Sequence, residues 1–300
     1  MKAQFLIYFI VTTTLFAINS SAQTPTTDAE REAIIYFSPP GLTARSSPEQ
    51  DLAAVRNYYQ KRFPNIRFDD YIYGALNFSA DARGQYDRLM DAPPFFDDLD
   101  EGKKLWLKPF ANGKSFESCF PNGGKNVLGN YPYFDPARKK VVTFEMAIND
   151  CLRANGEKPF AYADVKTMGR VTAYARTLSD GMKTAVKVEG ADAIAAYQAG
   201  KQFYYTRRGQ LNFACAHCHF DTSGQLLRSE YLSPLLGQTT HWPVFRQGTD
   251  LWSLQRRFSF CNQQVRAVPL EQGSAEYNNL EYFMTYLNNG LPLKSAVFRK

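Results

Sequence analysis

Cys215-Ala216-His217-Cys218-His219 is the stretch that decides the fold. A C-x-x-C-H run is the attachment signature of c-type haem. Each residue type in it has a task. Two thiols add to the two vinyl groups of the haem and hold it covalently. The next residue, His219, then offers an imidazole nitrogen to the iron from one face. Two other readings of the spacing are weaker. A C-x-x-C redox pair belongs in a thioredoxin-like βαβ setting, and no βαβ series surrounds this one. Half a zinc site needs a second ligand pair, and only His241 and Cys261 follow.

The sequence before the motif reads as helix, with Ala193, Tyr197, Gly200 and Tyr204 on one face. After it, Tyr277, Leu280, Phe283, Met284 and Leu287 form a second apolar stripe ending near Gly290. Between them runs a long segment, Asp221 to Thr249, that reads as loop. The expectation is a mainly α chain of cytochrome c texture, with few helices and much loop around a haem.

The chain also matches itself. Val141 to Pro159 aligns with Leu251 to Pro269 at an offset of 110, pairing Cys151 with Cys261. Val171, Tyr174, Leu178 and Gly181 align with Leu280, Phe283, Leu287 and Gly290 at 109. Gly102 and Cys119 align with Gly200 and Cys215 at 98 and 96. Two cytochrome c-like modules related by internal duplication are expected. The first has no attachment motif: Asn122 stands in place of the second Cys and Gly123 in place of the His. The expected divisions are a signal peptide over 1–22, an N-terminal extension over 23–75, a haem-less module over 76–183 and a haem-binding module over 184–300.

Export follows from the first residues. Lys2 precedes an apolar run from Phe5 to Phe16, and Ser20-Ser21-Ala22 supplies small residues for cleavage before Gln23. The run is short for a bilayer span. A periplasmic location is expected, where disulfides and covalent haem attachment are both possible. The 300 residues carry 35 Lys and Arg against 29 Asp and Glu. The basic residues are scattered, which gives no reason to expect nucleic acid as a partner. Mean hydropathy of -0.39 excludes a multi-span membrane protein.

The five cysteines then account for themselves. Cys215 and Cys218 go to haem. Cys119 and Cys151 most simply close a disulfide. Cys261 remains, and a free thiol in an oxidising compartment needs a reason to persist. On a helix it shares a face with Arg257, four residues earlier. A guanidinium there favours thiolate, the form that binds iron and attacks sulfur, and its forked donors suit a sulfur oxyanion. For the second axial position the residues leave Cys261, His241 and Met284 as candidates. Met284 lies 65 positions after His219, within an apolar stripe that also suits core packing.

Cys215 to His219, the Trp252 to Ala267 block and the Gly290-Leu291 ending together resemble the SoxA family, the larger cytochrome c subunit of SoxAX complexes in thiosulfate oxidation. The resemblance covers about residues 85 to 300. It implies one haem c with His219 and Cys261 as axial ligands. It also implies a Cys261 able to carry an extra sulfur, with Arg257 on the substrate side. The implied activity is oxidative conjugation of thiosulfate to a cysteine thiol of a SoxYZ-like carrier, an L-cysteine S-thiosulfotransferase. A SoxX-like monohaem cytochrome would be the partner subunit, with a downstream cytochrome accepting electrons. The competing reading is a plain electron-transfer cytochrome with Cys261 as ligand only. Departure from the two-haem members at Asn122 and Gly123 implies the one-haem type. Mass spectrometry of the purified chain is expected to show a single haem, carried on the Cys215–Cys218 peptide. A second haem mass would overturn the reading of residues 119–123.

Overall fold

The computed structural model describes residue 39 and residues 41–93, 95–246 and 250–299. The expected signal segment and its cleavage point lie outside the described residues. Among those residues no helix is long and apolar enough to cross a membrane.

Helices dominate, and their starts are written locally. Helix α1 (Pro48–Arg62) opens with a capping box in which Ser47 and Gln50 exchange side chain-to-backbone bonds, with Pro48 at the first helical position. Helices α2 (Ala80–Asp91) and α3 (Phe96–Leu107) follow. Strands β1 (Tyr133–Asp135) and β2 (Lys140–Val142) form an antiparallel hairpin that leads into α4 (Phe144–Ala154), capped by Thr143. Next come α5 (Arg170–Thr177) and α6 (Ala191–Tyr205). Strands β3 (Leu226–Leu227) and β4 (Glu230–Tyr231) form a short hairpin. Strands β5 (Val244–Arg246) and β6 (Asp250–Trp252) pair antiparallel and lead into α7 (Leu254–Gln264), capped by Ser253. The chain closes with α8 (Ala275–Leu287) and β7 (Val297–Arg299), which adds to β5 in parallel. The 221–249 segment therefore holds short strands where loop was expected. Elements of two or three residues leave no period to read.

The hairpin-then-helix sequence thus occurs twice, as do the crossings that follow it. Where α3 crosses α5, a Cβ on Gly102 would overlap the Arg170 carbonyl and press on Tyr174 Cβ. Where α6 crosses α8, a Cβ on Gly200 would overlap the Asn279 carbonyl and press on Phe283 Cβ. Only glycine allows two helix backbones this close. The segments leaving α5 and α8 then pair antiparallel with each other, bridging Lys183 to Pro292, with Gly181 N–H donating to Leu293 O at 2.8 Å.

One core centres on α6 and α8, where Tyr197, Tyr204, Tyr205, Phe220 and Phe283 are buried. Residues before 76 belong to it: Leu42, Val55, Tyr59 and Tyr71 are buried in the same cluster. Helix α1 is anchored there by a buried ion pair, Lys201 Nζ to Asp51 at 2.6 Å, joined by Tyr197 OH and Ser46. A second core surrounds Trp106, which stacks on Phe116 and Phe120 at 5.5 and 5.4 Å. Beside it Cys119 and Cys151 form a disulfide with Cα atoms 5.8 Å apart. Closing a loop over 32 positions stabilises by about 3–4 kcal/mol in the chain-entropy account.

Between the two cores lies a cavity of about 30 Å³ lined by Glu145, Arg176 and Glu281 among others, with room for a water or two. Arg176 also donates to Trp242 O at 2.8 Å. Burial, with the Glu145 charge second, pushes the Glu281 carboxyl up to about 8. A raised folded pKa means the neutral acid is favoured in the fold. Its stabilising effect is complete below the ordinary carboxylate value of 4.5 and is lost as pH rises toward 8. Glu281→Gln is therefore expected to raise the thermal unfolding midpoint at pH 8 and to change it much less at pH 5. A variant no more stable at pH 8 would contradict this.

Candidate haem site

The site begins at the C-terminal end of α6. Arg208 and Phe213 bridge a tight turn, and the chain then enters the attachment run. Ala214 and Ala216 are buried beneath it, at 3% and 0% exposure. Residues His217–Asp221 form one wide turn, closed by Thr222, whose N–H and Oγ1 both donate to His217 O at 3.1 and 2.7 Å. Cys215 and Cys218 are free thiols. Burial pushes the Cys215 thiol up to about 11 against the opposing charge of Arg208. Burial also raises Cys218, with the Cys261 charge acting in the same direction.

His219 is held neutral. Burial lowers it to about 4, the Ser233 carbonyl works against that, and the Arg257 charge adds to it. Its Nδ1 lies 2.8 Å from Ser233 O and 2.5 Å from the Gln238 amide. With the proton assigned to Nδ1, facing the Ser233 carbonyl, and the Gln238 amide turned to present its oxygen, the lone pair is on Nε2, the arrangement a metal-binding imidazole needs.

Cys261 lies on α7 and is a free, half-buried thiol. Its charge acts on Cys215, Cys218 and Arg246. The Arg257 charge acts on Cys218, His219 and Arg246. The fold thus gathers Cys215, Cys218, His219, Cys261 and Arg257 from two segments some 40 residues apart. His241 is buried elsewhere, stacked on Trp242 at 5.6 Å and under the charges of Arg299 and Arg176. Met284 is buried on the core face of α8. His217 accepts from Ala214 N–H at 3.0 Å through Nδ1.

Two neighbours were not signalled by the sequence. Arg246, on β5, has a buried Nε with no partner, and its guanidinium lies 5.1 Å from the Trp252 ring. Trp252 meets Phe260 edge-on at 5.2 Å, and Arg257 lies 5.5 Å from Phe260. Among the described residues neither Arg246 nor Arg257 has a carboxylate ion-pair partner, whereas Arg256 is paired to Asp250 at 2.8 Å. Tyr204 has a fully buried hydroxyl without a partner, within the electrostatic reach of Cys215 and Cys218. Nothing local marks Arg246 or the Tyr204 hydroxyl as part of the site, because the cysteines whose charge they feel lie further along the chain.

These residues fit a c-type haem. Two reduced thiols could attach it, and one imidazole with its Nδ1 occupied and one further sulfur are donors of the kind its iron would take. Tyr204 OH and Arg246 Nε are polar atoms that the protein alone leaves unsatisfied. Among the described residues no group of three or more His, Cys, Asp or Glu is placed to hold a bare metal ion.

Known proteins can be set beside this geometry. Residues 101–184 match the SoxA/TsdA cytochrome c domain family. The chain is 46% identical over 253 residues to the L-cysteine S-thiosulfotransferase subunit SoxA of Chlorobaculum tepidum, covering 84% of this chain and 88% of that one. The chain belongs to the SoxA family. The SoxA of Allochromatium vinosum is 43% identical over 265 residues, 87% of this chain and 94% of its own. Among solved structures, SoxXA from P. pantotrophus superposes with a TM-score of 0.63 at 29% identity, covering 69% of this chain and 79% of that chain. The stretch matched by the SoxA/TsdA domain family holds the Cys119–Cys151 disulfide and no C-x-x-C-H run. Cytochrome c architecture in this chain therefore extends to the part without an attachment motif.

Proposed function

We propose that this chain is the haem-bearing subunit of a periplasmic L-cysteine S-thiosulfotransferase. In this reading residues 76–183 are a haem-less cytochrome c-like module and 184–300 the working one, products of one duplication. The observation that carries the reading is the convergence of Cys261 and Arg257 on the Cys215–His219 turn. Family membership and the names of the relatives support it. The repeated hairpin-helix order and the twin glycine crossings support the duplication.

Cys215 and Cys218 would hold one haem c, with His219 Nε2 on one face and the Cys261 sulfur on the other. The bound haem supplies one-electron oxidation beside Cys261. The remaining chemistry belongs to the chain. Arg257 and Arg246 carry positive charge with no ion-pair partner among the described residues, on either side of the Trp252–Phe260 pair. They can hold the sulfonate end of thiosulfate by charge-assisted hydrogen bonds. Its outer sulfur then faces the Cys261 sulfur. Joining the Cys261 thiolate to thiosulfate makes one sulfur–sulfur bond and releases two electrons. A thiolate on the carrier protein next attacks the sulfur bonded to Cys261. That forms the carrier S-thiosulfonate and returns the Cys261 thiolate. The electron pair exceeds what one single-electron centre accepts, which calls for a partner cytochrome of the SoxX type. SoxYZ-like carrier, thiosulfate and a downstream electron acceptor complete the set. Two unpaired arginines beside a free thiol have no task in a pure electron carrier, which favours the enzyme reading.

Cys261→Ala is expected to abolish conjugation in an assay reconstituted with partner and carrier, while the thioether-bound haem stays in place. Undiminished turnover would refute the enzyme reading. Arg257→Ala is expected to lower kcat/KM for thiosulfate about tenfold or more, as for loss of a hydrogen bond to a charged group, with haem content unchanged. Haem loss in that variant would make Arg257 structural instead.

A further inference from the structure

Helix α1 reaches the turn that carries His219 and takes up its outward carbonyls one after another. Tyr59 OH donates to His219 O. Tyr58 OH donates to Phe220 O at 3.0 Å. Arg62 donates to Asp221 O at 2.9 Å and Ser223 O at 3.1 Å, and also to Tyr58 OH at 2.8 Å. Tyr59 does more than its neighbours. While donating to His219 O, its hydroxyl accepts from Leu235 N–H at 3.0 Å. Leu235 lies two residues after Ser233, whose carbonyl faces His219 Nδ1 at 2.8 Å. One fully buried hydroxyl therefore links the backbone that carries the imidazole to the loop that holds its far nitrogen.

We propose that Tyr59, with Arg62 and Tyr58 behind it, is a positioning residue that sets the His219 Nδ1–H to Ser233 bond and through it the redox potential of the site. The proposal rests on His219 being an axial haem ligand. A firm Nδ1–H bond raises the basicity of the imidazole. A more basic ligand favours the oxidised iron, so loosening the bond raises the potential. The anchor is rigid because Asp51, on the same helix, is fixed by Lys201 and Tyr197. Tyr59 also stacks on Phe220 at 5.3 Å, so Tyr59→Phe keeps the ring packing and removes only the hydroxyl.

The test is a redox titration of the haem-loaded chain with its partner subunit. At the wild-type midpoint, Tyr59→Phe is expected to raise the ferrous-to-ferric ratio about threefold or more. Tyr71→Phe is the control. Its hydroxyl donates to Tyr59 O at 3.1 Å, so it loses a buried bond in the same cluster without touching the His219 turn. Its ratio should stay at the wild-type value. An unmoved ratio in Tyr59→Phe, or an equal shift in Tyr71→Phe, overturns the proposal. If Tyr59→Phe does not accumulate, Arg62→Gln is titrated instead. A smaller shift in the same direction supports the clamp, and no shift overturns it. A wild-type chain without thioether-bound haem overturns the site reading and the clamp with it. Haem in place with an unmoved ratio overturns the clamp alone.

Discussion

The contact between α6 and α8 at Gly200 sets where the other parts can lie. A backbone crossing without a side chain between the helices brings the end of α6 close to the core face of α8. The attachment run leaves that end directly. Helix α7 packs on α8 through the Phe258 and Tyr277 rings, 5.5 Å apart. Cys261 and Arg257 are thereby carried to the side where Cys215 and Cys218 emerge. An alanine at Gly200 would push the helices apart against a backbone carbonyl, which has no rotamer with which to yield. The same crossing at Gly102 organises the other core, where it serves no attachment run.

The two cores show two ways of filling one kind of space. Around Trp106 the interior is closed by stacked rings and a disulfide. After Cys119, Asn122 and Gly123 turn with positive φ of 51° and 65°. A small module short of buried area needs a staple, and a cross-link suits an oxidising compartment. Around Cys215–His219 the thiols are free and the imidazole is neutral, and Tyr204 OH and Arg246 Nε are buried without a hydrogen-bond partner. A disulfide on one side and free thiols beside a buried imidazole on the other distinguish the two cores.

What the sequence made legible follows the range of each interaction. The attachment run, the four-residue spacing of Arg257 and Cys261, and the helix caps are local, and all could be read directly. The glycine crossings were visible only as matched spacing, since nothing in Gly102 or Gly200 says which carbonyl it meets. Ser233, Gln238 and Arg246 were invisible because they act on His219 or Cys261 across long stretches of chain. The strands in 221–249 were missed because two or three residues carry no alternation. Tyr59 was the most hidden, lying in a segment that reads as a mere extension.

That segment bears on how the molecule is made. The hydroxyl of Tyr59 finds its partners 160 and 176 residues further along the chain, and Asp51 finds Lys201 and Tyr197 about as far away. Among the described helices, α1 is the first to leave the ribosome. It is also among the last to be satisfied, since its buried charge and hydroxyl stay in water until most of the chain has followed. The α1 contacts can close around the His219 turn only once the chain as far as Leu235 is present.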